Sequence, residues 1–349
     1  MTGGPLLALT AAVLAACVSL VVAVVVVKAR RTLLGRRDAA LLADLRPILI
    51  EVAADEDDSG QGRSALAAVT GAARPALDRS IVAMLTKIRG LPAESLVDVL
   101  EAHGAVAAAE RDLGARSPIR RAHAAQLLGL ARSDEAVPSL VEALHDPAGE
   151  VRTSAAYALG LIGDPTAAGP LLAALGSDGG VPASTAADAL QAMGMGIADA
   201  LVDGLSNADP RVRTVAAHVS GWGSFVRSVP PMRALLASDP DLVVREACAV
   251  ALGRAGRAED VGVLARHLAP SEPLSLRRMC ALALRDLGDP AAVPALEALL
   301  VDRDPRLAEH AAAALLELGP WGRTALEGHS GPAIETARLV AMLQHGVLV

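Results

Sequence analysis

The residues of this chain that could carry chemistry are its three cysteines and eight histidines. Cys248 and Cys280 occupy the same position in two neighbouring segments of similar sequence. If those segments are stacked helices, about 8–10 Å apart, the two cysteines lie beyond the Cα separation of about 7 Å that a disulfide spans. We therefore expect two small buried residues rather than a redox or metal-binding pair.

The histidines also lack the spacing of a metal site. His123 and His310 occupy equivalent positions but lie at opposite ends of a series of similar segments, whereas His145 and His267 fall at predicted helix ends, where the helix dipole favours them. There is no glycine-rich phosphate loop and no Ser or Cys nucleophile signature. The sequence predicts no catalytic residue, no cofactor and no metal ion.

One position, usually arginine, recurs every 30–32 residues and organises most of the chain. These anchor positions are Arg121, Arg152, Ala183, Arg213, Arg245, Arg277 and Ala308. Three and four residues after each anchor stands a pair of small residues, such as Ala155-Ala156, and eleven residues after it usually stands a glycine, such as Gly163. Small pairs let neighbouring helices approach closely, and glycine suits the left-handed residue that ends a helix.

Asp-Pro dipeptides predict further helix starts, because Asp is a good N-cap residue and Pro fits the first helical turn. They begin at Asp146, Asp164, Asp209, Asp239, Asp289 and Asp304. Each sequence repeat is therefore predicted to fold as a helix, a glycine turn and a shorter second helix. Neither helix could bury its apolar face alone, so the units are expected to stack. The anchor arginines are expected to form an Asp–Arg ladder along one edge of the stack rather than a phosphate site.

The segment DPAGEVRTSAAYALGLIGDPTAAGPLLAAL, residues 146–175, resembles the HEAT-like repeat of the phycobilisome-lyase type. The resemblance extends over roughly residues 117–330 and implies an all-α solenoid of stacked helix pairs. It is specific for fold and poor for function. The lyase activity that it implies would need a cleft with converging acids and tyrosines, whereas Tyr157 is the one tyrosine of the chain.

The uncharged segment PLLALTAAVLAACVSLVVAVVVV, residues 5–27, predicts a membrane anchor. A helix of this length would be roughly 34 Å long, enough to cross a hydrocarbon core of about 30 Å. The basic sequence KARRTLLGRR follows it, which predicts an N-terminus outside and a cytoplasmic remainder. We predict one transmembrane helix in the inner membrane. A cleaved signal peptide, a lipoprotein lipidated at Cys17 and a buried core helix are the alternatives.

Four regions are predicted along the chain. Residues 1–37 form the anchor and its basic flank, and residues 38–116 a membrane-proximal helical linker with a degenerate first repeat. Residues 117–330 form the HEAT-like repeats, and residues 331–349 a C-terminal helical cap. Within the linker, RPALDRSIVAMLTKIRG and PAESLVDVLEAHG predict a pair of helices.

Candidate partner-binding residues lie on the outer side of the second helices, which commonly line the concave face of HEAT solenoids. At equivalent positions these residues are Glu142, Ala173, Asp203, Ala234, Arg266 and Ala298. The row could accept a helix or an extended segment, or it could be ordinary surface. Trp222 and Phe225 are further candidates. Trp222 takes the position of Leu161, so core packing at an irregular turn competes with the role of an exposed aromatic anchor.

The distribution of charge argues against a nucleic-acid partner. Residues 1–37 contain five basic and no acidic residues, which leaves the rest of the chain with a net charge of −12, whereas nucleic-acid binding depends on neutralising phosphates. We predict a non-enzymatic, membrane-tethered cytoplasmic scaffold that binds a protein partner, for example from the envelope machinery. An enzyme of the phycobilin-lyase type and a nucleic-acid-binding HEAT protein are the alternatives.

Overall fold

The regular secondary structure is entirely helical wherever the chain is described. The computed structural model describes Leu14, residues 17–22, Val25, Lys28 and residues 35–57, 59–88, 90–176 and 179–345, and none of these lies in a strand. Contacts divide the chain into two compact units, residues 1–108 and 109–349. The four regions proposed from the sequence stay predictions.

The first unit contains helices of 7–13 residues. They are α1 (Arg46–Ala53), α2 (Gln61–Ala67), α3 (Ala73–Leu85), α4 (Leu91–Ala102) and the start of α5 (Ala105–Asp112). The predicted helix pair is confirmed as α3 and α4. His103 is buried there, with Nδ1 2.5 Å from Oδ1 of Asp78 and Nε2 3.1 Å from the carbonyl oxygen of Leu66.

The second unit repeats a longer helix, here called the A helix, and a shorter B helix. The A helices are α6 (Pro118–Leu130), α8 (Gly149–Ile162), α10 (Ala183–Ala192), α12 (Pro210–Trp222), α14 (Leu242–Ala255), α16 (Leu274–Leu287) and α18 (Pro305–Glu317). The B helices are α7 (Val137–Ala143), α9 (Ala168–Ala173), α11 (Ala198–Leu205), α13 (Val229–Ser238), α15 (Val261–Arg266), α17 (Val293–Glu297) and α19 (Pro320–Glu327), and α20 (Pro332–His345) follows them.

Successive A helices pack side by side, and the B helices from α7 to α17 pack against the A helix of the following repeat. The small pairs predicted from the sequence lie in this packing. Ala155 and Ala156 are fully buried, and so are Cys248 and Ala249 at the equivalent position of α14. The predicted stack of helix pairs is therefore confirmed over the second unit, and small side chains allow the close approach that it needs.

The turn after an A helix usually contains a left-handed residue, even where glycine is missing. The turn after α14 is the exception, since Gly256 is extended with φ −74°. Gly163 and Gly288 have φ values of 83° and 67°. Arg132 and Ser224, which replace glycine at the same position, have φ values of 51° and 53°. A left-handed backbone conformation costs a residue with a side chain roughly 1–2 kcal/mol. The tertiary structure therefore imposes the turn on Arg132 and Ser224.

The anchor arginines pair with carboxylates 25–27 residues further on, in the loop that ends their own repeat. In α12, Nε of Arg213 donates to Oδ2 of Asp239 over 2.7 Å, and these side chains are only 11% and 2% exposed. The equivalent pairs are Arg121 with Asp146, Arg245 with Glu272 and Arg277 with Asp302. The predicted ladder is present in this form. Arg152 stands 26 residues before Asp178, which lies outside the described residues.

Each anchor arginine also binds backbone carbonyls of the segment that precedes its own helix. Nη1 of Arg213 donates to the carbonyl oxygens of Asn207 and Ala208 over 2.8 and 2.9 Å. Nε of Arg277 donates to the carbonyl of Leu268 over 2.8 Å. One guanidinium thereby holds the segments on both sides of its repeat. The hydrogen bond from Arg121 lowers the pKa of Asp146, and the hydrogen bond from Arg277 lowers the pKa of Asp302.

The Asp-Pro dipeptides have two roles, of which the sequence predicted one. Asp164, Asp209, Asp289 and Asp304 cap helical turns as predicted, each accepting a backbone N–H. Asp146 and Asp239 each lie three residues before the first residue of the next helix, so the prediction that a helix begins there is wrong. Their carboxylates accept the backbone N–H two residues on and bind an anchor arginine instead.

Within the described residues, the structure has no helix with the length and apolar character that crossing a membrane requires. The longest helices from α1 to α20 have 14 residues, about 21 Å, against a hydrocarbon core of about 30 Å. This finding contradicts the predicted single-pass location in the inner membrane and the transmembrane helix of the predicted fold. Most of residues 5–27 lie outside the described residues.

Replacing Arg132 with glycine is expected to raise the free energy of unfolding by about 1 kcal/mol, because relief of the left-handed backbone outweighs the flexibility that glycine adds. Urea denaturation measures this change. Ser133→Gly is the matched control. Its backbone is extended, with φ −73°, and glycine there should lower stability. Destabilisation by Arg132→Gly would contradict this account of the turn.

Asp239→Ala should destabilise the second unit by about 3–5 kcal/mol, because it leaves the buried guanidinium of Arg213 without its carboxylate. Asp199→Ala removes the carboxylate of an exposed pair with Arg227, whose side chains are 77% and 70% exposed. Its cost should be at most about 1 kcal/mol. Equal losses of unfolding free energy in the two variants would show that the ladder does not hold the stack together.

Candidate functional site

The six candidate residues of the second helices form one exposed row, which we call the B-helix row. Glu142, Ala173, Asp203, Ala234, Arg266 and Ala298 are all exposed. The first five lie on α7, α9, α11, α13 and α15, and Ala298 begins the 3-10 turn that follows α17. Three of the six are charged, and the other three are alanine. The structure thus exposes all six residues at equivalent positions of successive repeats.

The rotation of each B helix is set by a buried residue two positions earlier. These buried residues are Leu140, Leu171, Leu201, Met232, Leu264 and Leu296. Two residues correspond to about 200° around a helix, so burial of the first side chain turns the second toward solvent. The short 3-10 turn that precedes each of these B helices ends in a further buried residue, such as Ala136 or Ala167. The exposure of the row is therefore a consequence of core packing.

A second candidate site lies at the turn end of the A helices, where α10 meets α12. At four other junctions a glycine of one A helix faces an alanine of the next. A Cβ added to Gly129, Gly160, Gly221 or Gly253 would lie 2.5–2.7 Å from the Cα of Ala158, Ala189, Ala251 or Ala283. Such a separation leaves no room for any side chain, so glycine permits this close packing.

The junction between α10 and α12 departs from this pattern on both sides. Gln191 takes the glycine position, and Val219 takes the alanine position of the next repeat. Both residues line a cleft of about 250 Å³, together with Met195, Trp222 and Phe225. The larger side chains keep the two helices apart at this end, and the cleft lies between them. Because Arg213 is near the start of α12 and Trp222 at its end, the cleft is on the edge opposite the ladder.

The two aromatic candidates have different environments. Trp222 is 53% exposed and Met195 65%, whereas Phe225 is only 5% exposed. The core packing expected for Trp222 is therefore wrong, and Phe225 is not an exposed anchor. The ring of Phe225 lies against Gly223, where an added Cβ would be 2.2 Å from a ring carbon. Phe225 forms the floor of the cleft, and Trp222 is free to contact a partner.

The charges around the cleft come chiefly from the next repeat. The guanidinium of Arg254, on α14, lies 5.5 Å from the centre of the Trp222 ring, a distance typical of a cation–π contact. Desolvation by the neighbouring helices and, to a smaller extent, the charge of Arg254 lower the pKa of His218. The His218 imidazole is therefore neutral at neutral pH, and Arg254 supplies positive charge beside the tryptophan.

The residues considered for catalysis have structural surroundings. Cys248 and Cys280 are fully buried and unpaired, and burial raises the pKa of each thiol to about 12. Such thiols are poor nucleophiles and poor metal ligands at neutral pH. Within the part of the chain that the structure describes, no three His, Cys, Asp or Glu side chains are grouped to hold a metal ion.

Two family models match the chain. The one described as HEAT repeats covers residues 108–191 and 198–274, and the one described as PBS lyase HEAT-like repeat covers residues 276–302. The two models match consecutive parts of the second unit, and the chain contains HEAT-like repeats. The repeats predicted from the anchor positions are confirmed. No curated protein matches the sequence.

Solved solenoids share the fold at low identity. A crystal structure of a Kap121p mutant is 13% identical with a TM-score of 0.54, over 89% of this chain and 38% of that one. Kap95p, from a study of its binding to RanGDP, is 14% identical with a TM-score of 0.51, over 88% and 47%. The complex of CpcE and CpcF of phycocyanin lyase from Nostoc sp. PCC7120 is 22% identical, over 66% of this chain and 94% of that one, with a TM-score of only 0.34.

Gly221→Ala should cost about 1–3 kcal/mol of unfolding free energy, because the new methyl group overpacks the contact between α12 and α14. Gln191→Ala occupies the equivalent position at the open junction, where the side chain is exposed, and should change stability by no more than about 0.5 kcal/mol. Thermal and urea unfolding measure both. Equal effects would mean that the cleft does not result from the exchange of glycine for glutamine.

Proposed function

We propose that this protein is a non-enzymatic scaffold that binds a protein partner across the B-helix row. HEAT-type solenoids commonly bind proteins, and the fold of this chain supports that general role. The observation that carries the proposal is the row itself, in which equivalent positions of six successive repeats are exposed and half of them are alanine. A partner could approach closely at the three alanines and meet charged side chains at the other three positions.

The chemistry of the row favours an extended or helical segment of a partner. Alanine at Ala173, Ala234 and Ala298 allows close approach of a partner's backbone, and the sparse charges of the other positions set its register. Charge pairs at an interface contribute mainly to specificity and to the rate of association. The row therefore fits a partner with a basic residue facing Glu142 or Asp203 and an acidic residue facing Arg266.

The non-enzymatic part of the proposal rests on what the reactive side chains do in the fold. The anchor arginines are engaged by carboxylates and backbone carbonyls, and the buried thiols of Cys248 and Cys280 have raised pKa values. An enzyme of the phycobilin-lyase type is the alternative, suggested by the repeat family alone. A nucleic-acid partner is disfavoured by the acidic charge of the repeats.

Reversing two charges of the row, Glu142→Arg together with Asp203→Arg, should abolish recovery of the partner without lowering the melting temperature. Both residues are exposed, and substitutions at such sites usually change stability by at most about 0.5 kcal/mol. Like charges facing each other across an interface oppose binding. A photo-crosslinker at Ala173 and at Ala234 identifies the partner, because both positions should yield the same adduct.

The control reverses the same number of charges away from the row, as Glu110→Arg with Glu327→Arg, both at exposed positions. This variant should keep the partner. A second control, Ala156→Leu, overpacks the contact between A helices and should lower the melting temperature. If the row variant melts like the wild type and still yields the same adducts, the row is ordinary surface and the proposal fails.

A further inference from the structure

We propose that the cleft between α10 and α12 binds a peptide segment in which one large apolar side chain is accompanied by acidic residues. This site is separate from the B-helix row and goes beyond the scaffold function, since it lies at the turn end of the A helices. The apolar side chain would enter the cleft beside Trp222, and the acidic residues would lie toward Arg254.

The lining of the cleft fits an apolar side chain. Val219 and Phe225 are buried and form its inner surface, and the exposed side chains of Met195 and Trp222 stand at its mouth. Gln191 supplies the one polar side chain among the lining residues. A volume of about 250 Å³ exceeds that of a single leucine or phenylalanine side chain. Tryptophan at the rim of an apolar pocket is the composition typical of an interface hot spot.

The cleft is a built feature of the stack. The glycine-to-alanine contact that closes other junctions is replaced on both helices, by Gln191 and Val219, and both replacements line the cleft. Buried Val219 cannot turn away without exposing apolar surface, so the side chain that occupies the alanine position is fixed by the core packing. Preformed clefts bind with a smaller cost of ordering than surfaces that must rearrange.

The charges beside the cleft favour acidic residues in the ligand. Arg254 and Arg257 are exposed on the side of the next repeat, and among the described residues neither forms an ion pair. Arg227 is already paired with Asp199. His218 adds no positive charge at neutral pH because its pKa is lowered.

The helix on the other side of the cleft, α10, carries an exposed carboxylate near Gln191. Asp188, exposed on α10, stands one turn before Gln191. A peptide with acidic residues on one side of its apolar anchor would therefore bind in one direction, with those residues toward Arg254 and Arg257.

Tryptophan fluorescence can report binding at the cleft itself. Trp222 and Trp321 are the two tryptophans of the chain, and Trp321 is 67% exposed. In a Trp321→Phe background, Trp222 becomes the sole reporter. The probes are synthetic nine-residue peptides with Leu, Phe or Ser at the centre and Glu, Gln or Lys in the flanking positions. Peptides with Leu or Phe between Glu residues should shift the Trp222 emission to the blue and bind more weakly as salt concentration rises.

Two variants separate the apolar and the charged parts of the site. Trp222→Ala, read by fluorescence anisotropy of a dye-labelled peptide, should weaken binding of the Glu-flanked Leu peptide at least about tenfold. Arg254→Glu with Arg257→Glu should weaken it similarly and should bind the Lys-flanked Leu peptide instead. Arg323→Glu, an exposed arginine of α19, is the control and should leave both affinities unchanged.

Several results would overturn the proposal. These are binding that does not depend on the central apolar residue, equal affinity for Glu- and Lys-flanked peptides, and unchanged affinity in Trp222→Ala with an unaltered melting temperature. The variant with Glu142→Arg and Asp203→Arg should retain peptide binding at the cleft. The experiments therefore distinguish failure of the binding proposal for the B-helix row from failure of the binding proposal for the cleft.

Discussion

The stack of the second unit depends on one recurrent interaction, in which an anchor arginine near the start of an A helix binds both segments that flank its repeat. Arg213 donates to the carbonyls of Asn207 and Ala208 before its helix and to the carboxylate of Asp239 after the following B helix. The guanidinium donates hydrogen bonds to backbone carbonyls that have no partner within a helix. It also fixes the distance between successive A helices, so the same contacts recur with the period of the sequence.

Because the spacing is fixed along this edge, a change in side-chain size where two A helices meet alters the packing only at that junction. With the anchors held along one edge, the opposite ends of the helices approach as closely as their side chains allow. Glycine against alanine gives direct backbone contact at Gly160 and Gly253. Gln191 and Val219 prevent this contact at one junction, and a cleft forms there. The anchor position of α10 is Ala183, so the ladder has no arginine in this repeat and resumes at Arg213 in α12. The solenoid thereby acquires a cleft at a defined place.

The two candidate surfaces arise from different aspects of the same packing. The B-helix row is periodic, because each buried residue such as Leu201 turns an equivalent position toward solvent. It suits a long partner that contacts several repeats. The cleft occurs at one junction, where Trp222 and Met195 are exposed beside Arg254, and it suits a short segment with one anchoring side chain. A scaffold with both surfaces could bind two segments at once, one on each face.

The sequence by itself determined the period, the helices, the small pairs and the exposed row, because these follow from spacing and from which residue types tolerate burial. It also located the ladder. The sequence predicts Asp146 and Asp239 as helix caps, but both bind anchor arginines, because an Asp-Pro pair has the same sequence in either role. Only the tertiary structure decided that Arg132 and Ser224 adopt the turn of glycine, that Trp222 is exposed while Phe225 is buried, and that a cleft separates α10 from α12. The cleft depends on a contact between helices of successive repeats, where Gln191 and Val219 meet, and a side chain's environment across such a contact is set by its neighbour's size rather than by its own identity.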